Sequence, residues 1–136
     1  MVMKISFLLL FTSFFLVGCG GTYRASKVET IPLEQREKII VKNFWLKSNV
    51  GVLSLDNENQ DGFLKAKVKL KNLTSSLVNA EIKVKFLDKD GYELNETWGW
   101  EPLPLESGEI KSFQKVAPSK SAVDFRVLLK LADEEE

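Results

Sequence analysis

Histidine is absent from the 136 residues, cysteine occurs once and proline four times. Without histidine the chain lacks the commonest general base and metal ligand, and the side chain that ordinarily titrates near neutrality. A single cysteine excludes an intramolecular disulfide, so a folded domain must draw its stability from its core. An excess of either charge is lacking too: 19 basic residues balance 19 acidic ones, which argues against nucleic-acid binding through a basic face. The one long apolar run is residues 5–17, broken only by Ser6, Thr12 and Ser13. A membrane-spanning helix needs about 20 apolar residues, and this run meets Gly18, Cys19, Gly20 and Gly21 before reaching that length.

What is there begins with the order of those first residues. Lys4, a short apolar stretch and a small residue before Cys19 have the layout of a secretory signal. The tetrapeptide Leu16-Val17-Gly18-Cys19 resembles the lipobox of bacterial lipoproteins. That resemblance implies cleavage between Gly18 and Cys19, a diacylglyceryl group on the Cys19 thiol and an acyl chain on the new amino group. Several acyl chains, at about 0.8 kcal/mol per buried methylene, hold a protein to a bilayer far more firmly than one. Gly20, rather than Asp, after the lipidated residue implies sorting to the outer membrane by the enterobacterial rule. The expected organisation is a signal peptide over 1–18, a flexible polar tether over 19–36, one folded domain over 37–132 and an acidic tail over 133–136. The expected location is the periplasmic face of the outer membrane, with the membrane itself as a partner through the lipid on Cys19. No other cofactor and no metal are expected.

Residues 37–132 read as strands. Leu64, Ala66, Val68 and Leu70 alternate with Lys65, Lys67, Lys69 and Lys71, a period of two that marks one buried and one wet face. Ala80, Ile82, Val84 and Phe86 alternate with Glu81, Lys83 and Lys85 in the same way. So do Val123, Phe125, Val127, Leu129 and Leu131 with Asp124, Arg126 and Lys130. Weaker candidates cover 38–46, 50–55, 92–98 and 109–116, bounded by Asn49, Asp61-Gly62, Asp90-Gly91 and Ser107-Gly108. Helical spacing is confined to 33–39, which is open to either assignment. About seven short strands predict an all-β fold, an immunoglobulin-like antiparallel β-sandwich, with a closed barrel as the competing arrangement. The outward lysines read as protection against edge-to-edge pairing, with contact to anionic lipid or to peptidoglycan carboxylates as the functional alternative.

Candidate chemistry is sparse. Asp88 with Asp90, and Glu93 with Glu96, are acidic pairs in turns, where such residues are ordinary. Residues 56–61 are rich in oxygen ligands but lack EF-hand spacing and its closing Glu, so they read as a solvated hairpin loop. Asn72-Leu73-Thr74 and Asn95-Glu96-Thr97 match a glycosylation acceptor pattern and are read as turn or strand-end chemistry. The unusual stretch is 97–105, where Trp98, Gly99 and Trp100 precede Pro102 and Pro104. Trp98, Trp100, Pro102 and Pro104 are the candidate binding surface, because exposed indoles favour interfaces and prolines fix a loop for recognition. The competing reading has the indoles closing the end of the core. On a single strand the two would share a face and so be both buried or both exposed.

Asn72-Leu73-Thr74, Phe86-Leu87-Asp88-Lys89-Asp90-Gly91, Trp100, Leu103-Pro104-Leu105, Ala117-Pro118 and Ala122-Val123-Asp124-Phe125-Arg126-Val127 together resemble the YcfL-like periplasmic lipoproteins, a family of unknown function. The resemblance implies an envelope lipoprotein with a sandwich domain. Some members are encoded beside lipoprotein activators of peptidoglycan synthases, which connects the family to cell-wall biogenesis. The expectation is a non-enzymatic module that binds another envelope protein. The alternative is a carrier or sensor of a glycan fragment or lipid stacked on Trp98 and Trp100.

Overall fold

The computed structural model describes residues 37–95 and 98–135. Gly18 and Cys19 lie outside them, as do residues 33–36 of the segment left open above. Among the described residues, seven strands, β1 (Ile39–Val41), β2 (Val50–Gln60), β3 (Phe63–Asn72), β4 (Val78–Leu87), β5 (Glu101–Leu105), β6 (Ile110–Val116) and β7 (Asp124–Leu131), form two sheets with one short helix, α1 (Phe44–Asn49). Sheet order is β1-β7-β4-β5 in the first and β2-β3-β6 in the second. All pairs are antiparallel except β1 with β7, where Ile39, Ile40 and Val41 oppose Val127, Leu128 and Leu129 in parallel. Alternation does what the sequence expects of it. Ala66, Val68 and Leu70 from β3 meet Ala80, Ile82, Val84 and Phe86 from β4, with Phe125, Val127 and Leu129 from β7, in one buried cluster.

Several elements differ from the sequence reading. Residues 38–46, expected as one strand, divide into β1 and α1. Asn43 caps the helix, its Oδ1 accepting from the Leu46 N–H at 3.0 Å, and the turn directs Leu46 alone into the core. Residues 56–61 are not a loop: β2 runs to Gln60, opposite Phe63, and the chain reverses at Asp61 and Gly62. Both of those have positive φ, 53° and 87°, the backbone of a two-residue hairpin turn that matches strand twist. Residues 92–95 form no strand, only a bridge between Glu93 and Leu87. Val123 is exposed, while Leu128 and Lys130, on the face expected to be wet, are buried. Lys130 is covered by Trp100, whose ring centroid is 5.0 Å from its Nζ, and is paired with Glu81 at 3.2 Å.

Each sheet edge is handled differently. Pro102 and Pro104 oppose Glu81 and Asn79. A proline cannot donate into a ladder, so these positions turn their backbone outward and leave the free edge of β5 without N–H groups there. The β6 edge is stitched to β5 by Lys111, whose Nζ donates to the Pro104 carbonyl, and by Lys115 with Glu101 at 2.7 Å. Strand β2 carries a bulge between Val52 and Ser54, and β1 is three residues long.

Strand β1 is also held by charge. Lys38 Nζ lies 2.6 Å from Asp124 Oδ1, and Arg126 contributes a 2.9 Å contact to the other carboxylate oxygen. Burial pushes the Asp124 carboxyl up, but the hydrogen bonds from Lys38, Arg126 and the Phe125 N–H outweigh it and hold the group below its ordinary value. The unfolded chain then binds more protons than the native one in the acid range. The pair's stabilisation is complete above the usual carboxyl range near pH 4 and is lost as pH falls through the lowered native value. Thermal melts from pH 7 down to pH 2 should show Tm falling below about pH 4, and the fall should be smaller in Asp124→Asn. An identical acid profile in that variant would assign the acid sensitivity to other carboxylates.

Candidate functional site

Alternation along β4 sends Glu81, Lys83 and Lys85 to the outer face of the first sheet. The chain then turns at Asp88, whose Oδ1 accepts from the N–H groups of Asp90 and Tyr92 at 2.9 and 3.0 Å. Gly91 completes the turn at φ 83°, a value that glycine reaches without steric cost. The returning segment is pinned by the Leu94 N–H to the Phe86 carbonyl at 2.9 Å and by Lys85 Nζ to Glu93 at 3.0 Å. It leaves a shallow depression of about 200 Å³ lined by Lys83, Lys85, Glu93, Leu94, Asn95 and Trp98. Lys83 has no ion-pair partner among the described residues.

The two indoles do not share an environment. Trp98 packs edge-on against Phe86, with ring centroids 6.3 Å apart and planes at 87°. Its Nε1 donates to the Val84 carbonyl at 3.3 Å, and Lys115 Nζ sits 4.6 Å from its ring centroid. Trp100 lies against Lys130, whose Nζ is 5.0 Å from the ring centroid, 3.2 Å from Glu81 Oε2 and 2.7 Å from the Glu134 carbonyl. The condition for a shared face is not met, because neither residue belongs to a strand. Trp98 reaches the core residue Phe86 from the rim of the depression, whereas Trp100 lies over Lys130 beside Glu81 on the outer face. Both are half-buried, between the two outcomes that the sequence allowed.

Pro102 and Pro104 are exposed, but on strand β5 and not in a loop. Of the four candidate residues, the structure brings Trp98 to the depression, sets Trp100 over Lys130 and aligns the two prolines along the adjacent edge. Sequence reading missed Lys83, Lys85, Glu93, Leu94 and Asn95 as a group. Asp90-Gly91 marks the turn in the sequence, but nothing there shows that the returning segment walls off a hollow. The arrangement offers an ammonium, a carboxylate, an amide and an indole, which are recognition chemistry. Among the described residues no group of three or more acidic or cysteine side chains is placed to hold a metal ion.

The family model described as "Protein of unknown function (DUF1425)" matches residues 37–131. The crystal structure of Campylobacter jejuni Cj0090 is similar over 69% of this chain and 97% of its own, with 26% identity and a TM-score of 0.59. A DUF1425 family member from Shewanella sp. PV-4 has the same fold at 20% identity, over 63% of this chain and 81% of its own, with a TM-score of 0.58. None of the curated proteins matches.

Proposed function

The chain belongs to the DUF1425 family of proteins of unknown function, and from that premise we propose that it is a lipid-anchored envelope protein whose β-sandwich binds another envelope protein without catalysing a reaction. In this reading Cys19 carries the acyl chains, the domain stands at the periplasmic face of the outer membrane, and its partner belongs to cell-envelope or peptidoglycan biogenesis, as the resemblance to YcfL-like lipoproteins implies. The observation that carries the reading is the depression beside Trp98, open to solvent and flanked by the proline edge of β5. At about 200 Å³ it is smaller than the roughly 300–1,000 Å³ of sites that enclose a small molecule. A protein side chain set into it, with Lys83 and Asn95 as polar contacts, suits that size better than an enclosed glycan or lipid.

Strand addition at β5 is disfavoured by Pro102 and Pro104, so recognition on this side rests on side chains. The test is photocrosslinking in intact cells from probes at Asn95 and Pro102, both exposed. Probes at Trp98 would disturb its packing on Phe86. A discrete protein adduct at these positions, absent from a probe at Asp61 on the β2–β3 hairpin of the other sheet, is the expected result. Adducts to lipid or glycan alone, or none, would overturn the reading.

A further inference from the structure

Seven large apolar side chains are exposed among the described residues, and four of them, Phe44, Trp45, Leu77 and Ile110, gather at one end of the sandwich. The register places them there: α1 leads directly into Val50, which opposes Asn72; Ile110 opposes Lys71; Leu77 precedes Val78, which opposes Leu105. Phe44 is 84% exposed and Trp45 46%. Neither is spent on the fold, since α1 uses only Leu46 to reach the core. Lys42 and Lys47 flank the aromatic pair and are exposed.

From this geometry we infer that the α1 end of the domain is a peripheral membrane-contact surface, with Phe44 and Trp45 entering the interfacial region of the bilayer. Aromatic rings favour that region, and flanking lysines extend their ammonium groups to the headgroups while their stems stay apolar. The inference rests on the proposed anchoring at Cys19, because only the 17 residues 20–36 lie between Cys19 and Glu37, a reach of at most about 60 Å. A domain tied so closely to the bilayer needs only weak intrinsic affinity to dock. Charge at this end is mixed: Lys42, Lys47 and Lys71 are offset by Glu106, Asp133 and Glu135. Apolar insertion therefore drives the contact, and anionic lipid is not required.

The test uses residues 19–136 carrying Cys19→Ser, which has no acyl chain, with vesicles of phosphatidylcholine and phosphatidylethanolamine. Sedimentation should show partition that persists at 0.5 M salt, about where the Debye length has shrunk to a few ångströms. Brominated lipids should quench tryptophan emission. Phe44→Ser with Trp45→Ser should weaken partition at least about tenfold, as expected for withdrawing two aromatic side chains from the apolar phase. Tyr92→Ser, at a residue 73% exposed at the far end, should leave it unchanged. No partition, or undiminished partition by the double variant with its near-UV circular dichroism retained, would overturn the inference. Metabolic labelling of Cys19 with an alkynyl fatty acid tests the anchor separately: a chain that takes no label refutes the anchoring while leaving the vesicle result to stand or fall alone.

Discussion

Replacing Asn72 with leucine should cost about 3–5 kcal/mol of unfolding free energy, and replacing it with aspartate more. Asn72 is 0% exposed at the end of β3. Its Nδ2 donates to the carbonyls of Ser76, Leu105 and Glu106 at 2.7, 2.9 and 3.0 Å. Its Oδ1 accepts from both the N–H and the hydroxyl of Thr74 at 2.8 Å. One side chain thus joins the β3–β4 crossover to the β5–β6 turn, and so ties the two sheets together at that end. Leucine has nearly the same volume and none of these bonds, and each buried polar group left unpaired costs roughly 1–3 kcal/mol. The loops will relax to let water reach some of the five, which is why the total stays well below five such penalties.

Aspartate keeps the acceptor for Thr74 but turns a carboxylate oxygen toward three carbonyls in a dry site, a charge without a counter-ion. That carboxyl is pushed above its ordinary range, so the penalty grows as pH rises above about 4 and is partly relieved in acid. For a domain of about 100 residues, 3 kcal/mol corresponds to a Tm drop of roughly 12 °C or more. Urea unfolding at pH 7 and at pH 3 measures both effects. If leucine and aspartate each stayed within about 1 kcal/mol of the parent, a typical value for a single hydrogen bond, the latch would have no structural role.

Phe86→Ala should cost a similar amount, about 3–5 kcal/mol, the usual range for emptying an aromatic site in a core. Phe86 is 0% exposed and lies opposite Phe125, itself 1% exposed, in the register of β4 and β7. The cavity opens between the two sheets, and the surrounding strands are too well hydrogen-bonded to collapse into it. The consequence reaches the surface, because the lost ring is the one Trp98 packs against. Red-shifted emission from Trp98 should therefore accompany the loss of stability, and crosslinking from Asn95 should weaken in parallel. Phe86→Leu, which retains most of the volume, should cost about 1.5 kcal/mol or less. A Phe86→Ala variant with unshifted emission would mean that Trp98 is held by its other contacts, to Val84 and Lys115.

The two kinds of result come from different parts of the same motif-bearing chain. Asn72-Leu73-Thr74 looked like turn chemistry and is; what sequence could not reveal is that its amide reaches Leu105 and Glu106, more than 30 residues away. The β-favouring Phe44-Trp45 within residues 38–46 reads as strand, and the cap at Asn43 together with the packing of Leu46 makes it a helix. Trp98 and Trp100 stand out by composition, yet the partners each one meets, Phe86 and Lys115 for the first and Lys130 for the second, depend on which strands become neighbours.

Strand periodicity, turn residues and the absence of histidine and of a second cysteine were set by composition and order, because each acts over a few residues or by simple lack. They sufficed for the all-β class, the strong strands and the turn positions at Asp61-Gly62 and Asp90-Gly91. The parallel pairing of β1 with β7, the burial of Leu128 and Lys130 on an outward face, the blocked edge at Pro102 and Pro104 and the hollow beside Trp98 were decided only in three dimensions. Each depends on which strands become neighbours, and that choice is made by the common burial of distant apolar faces, not by any local propensity.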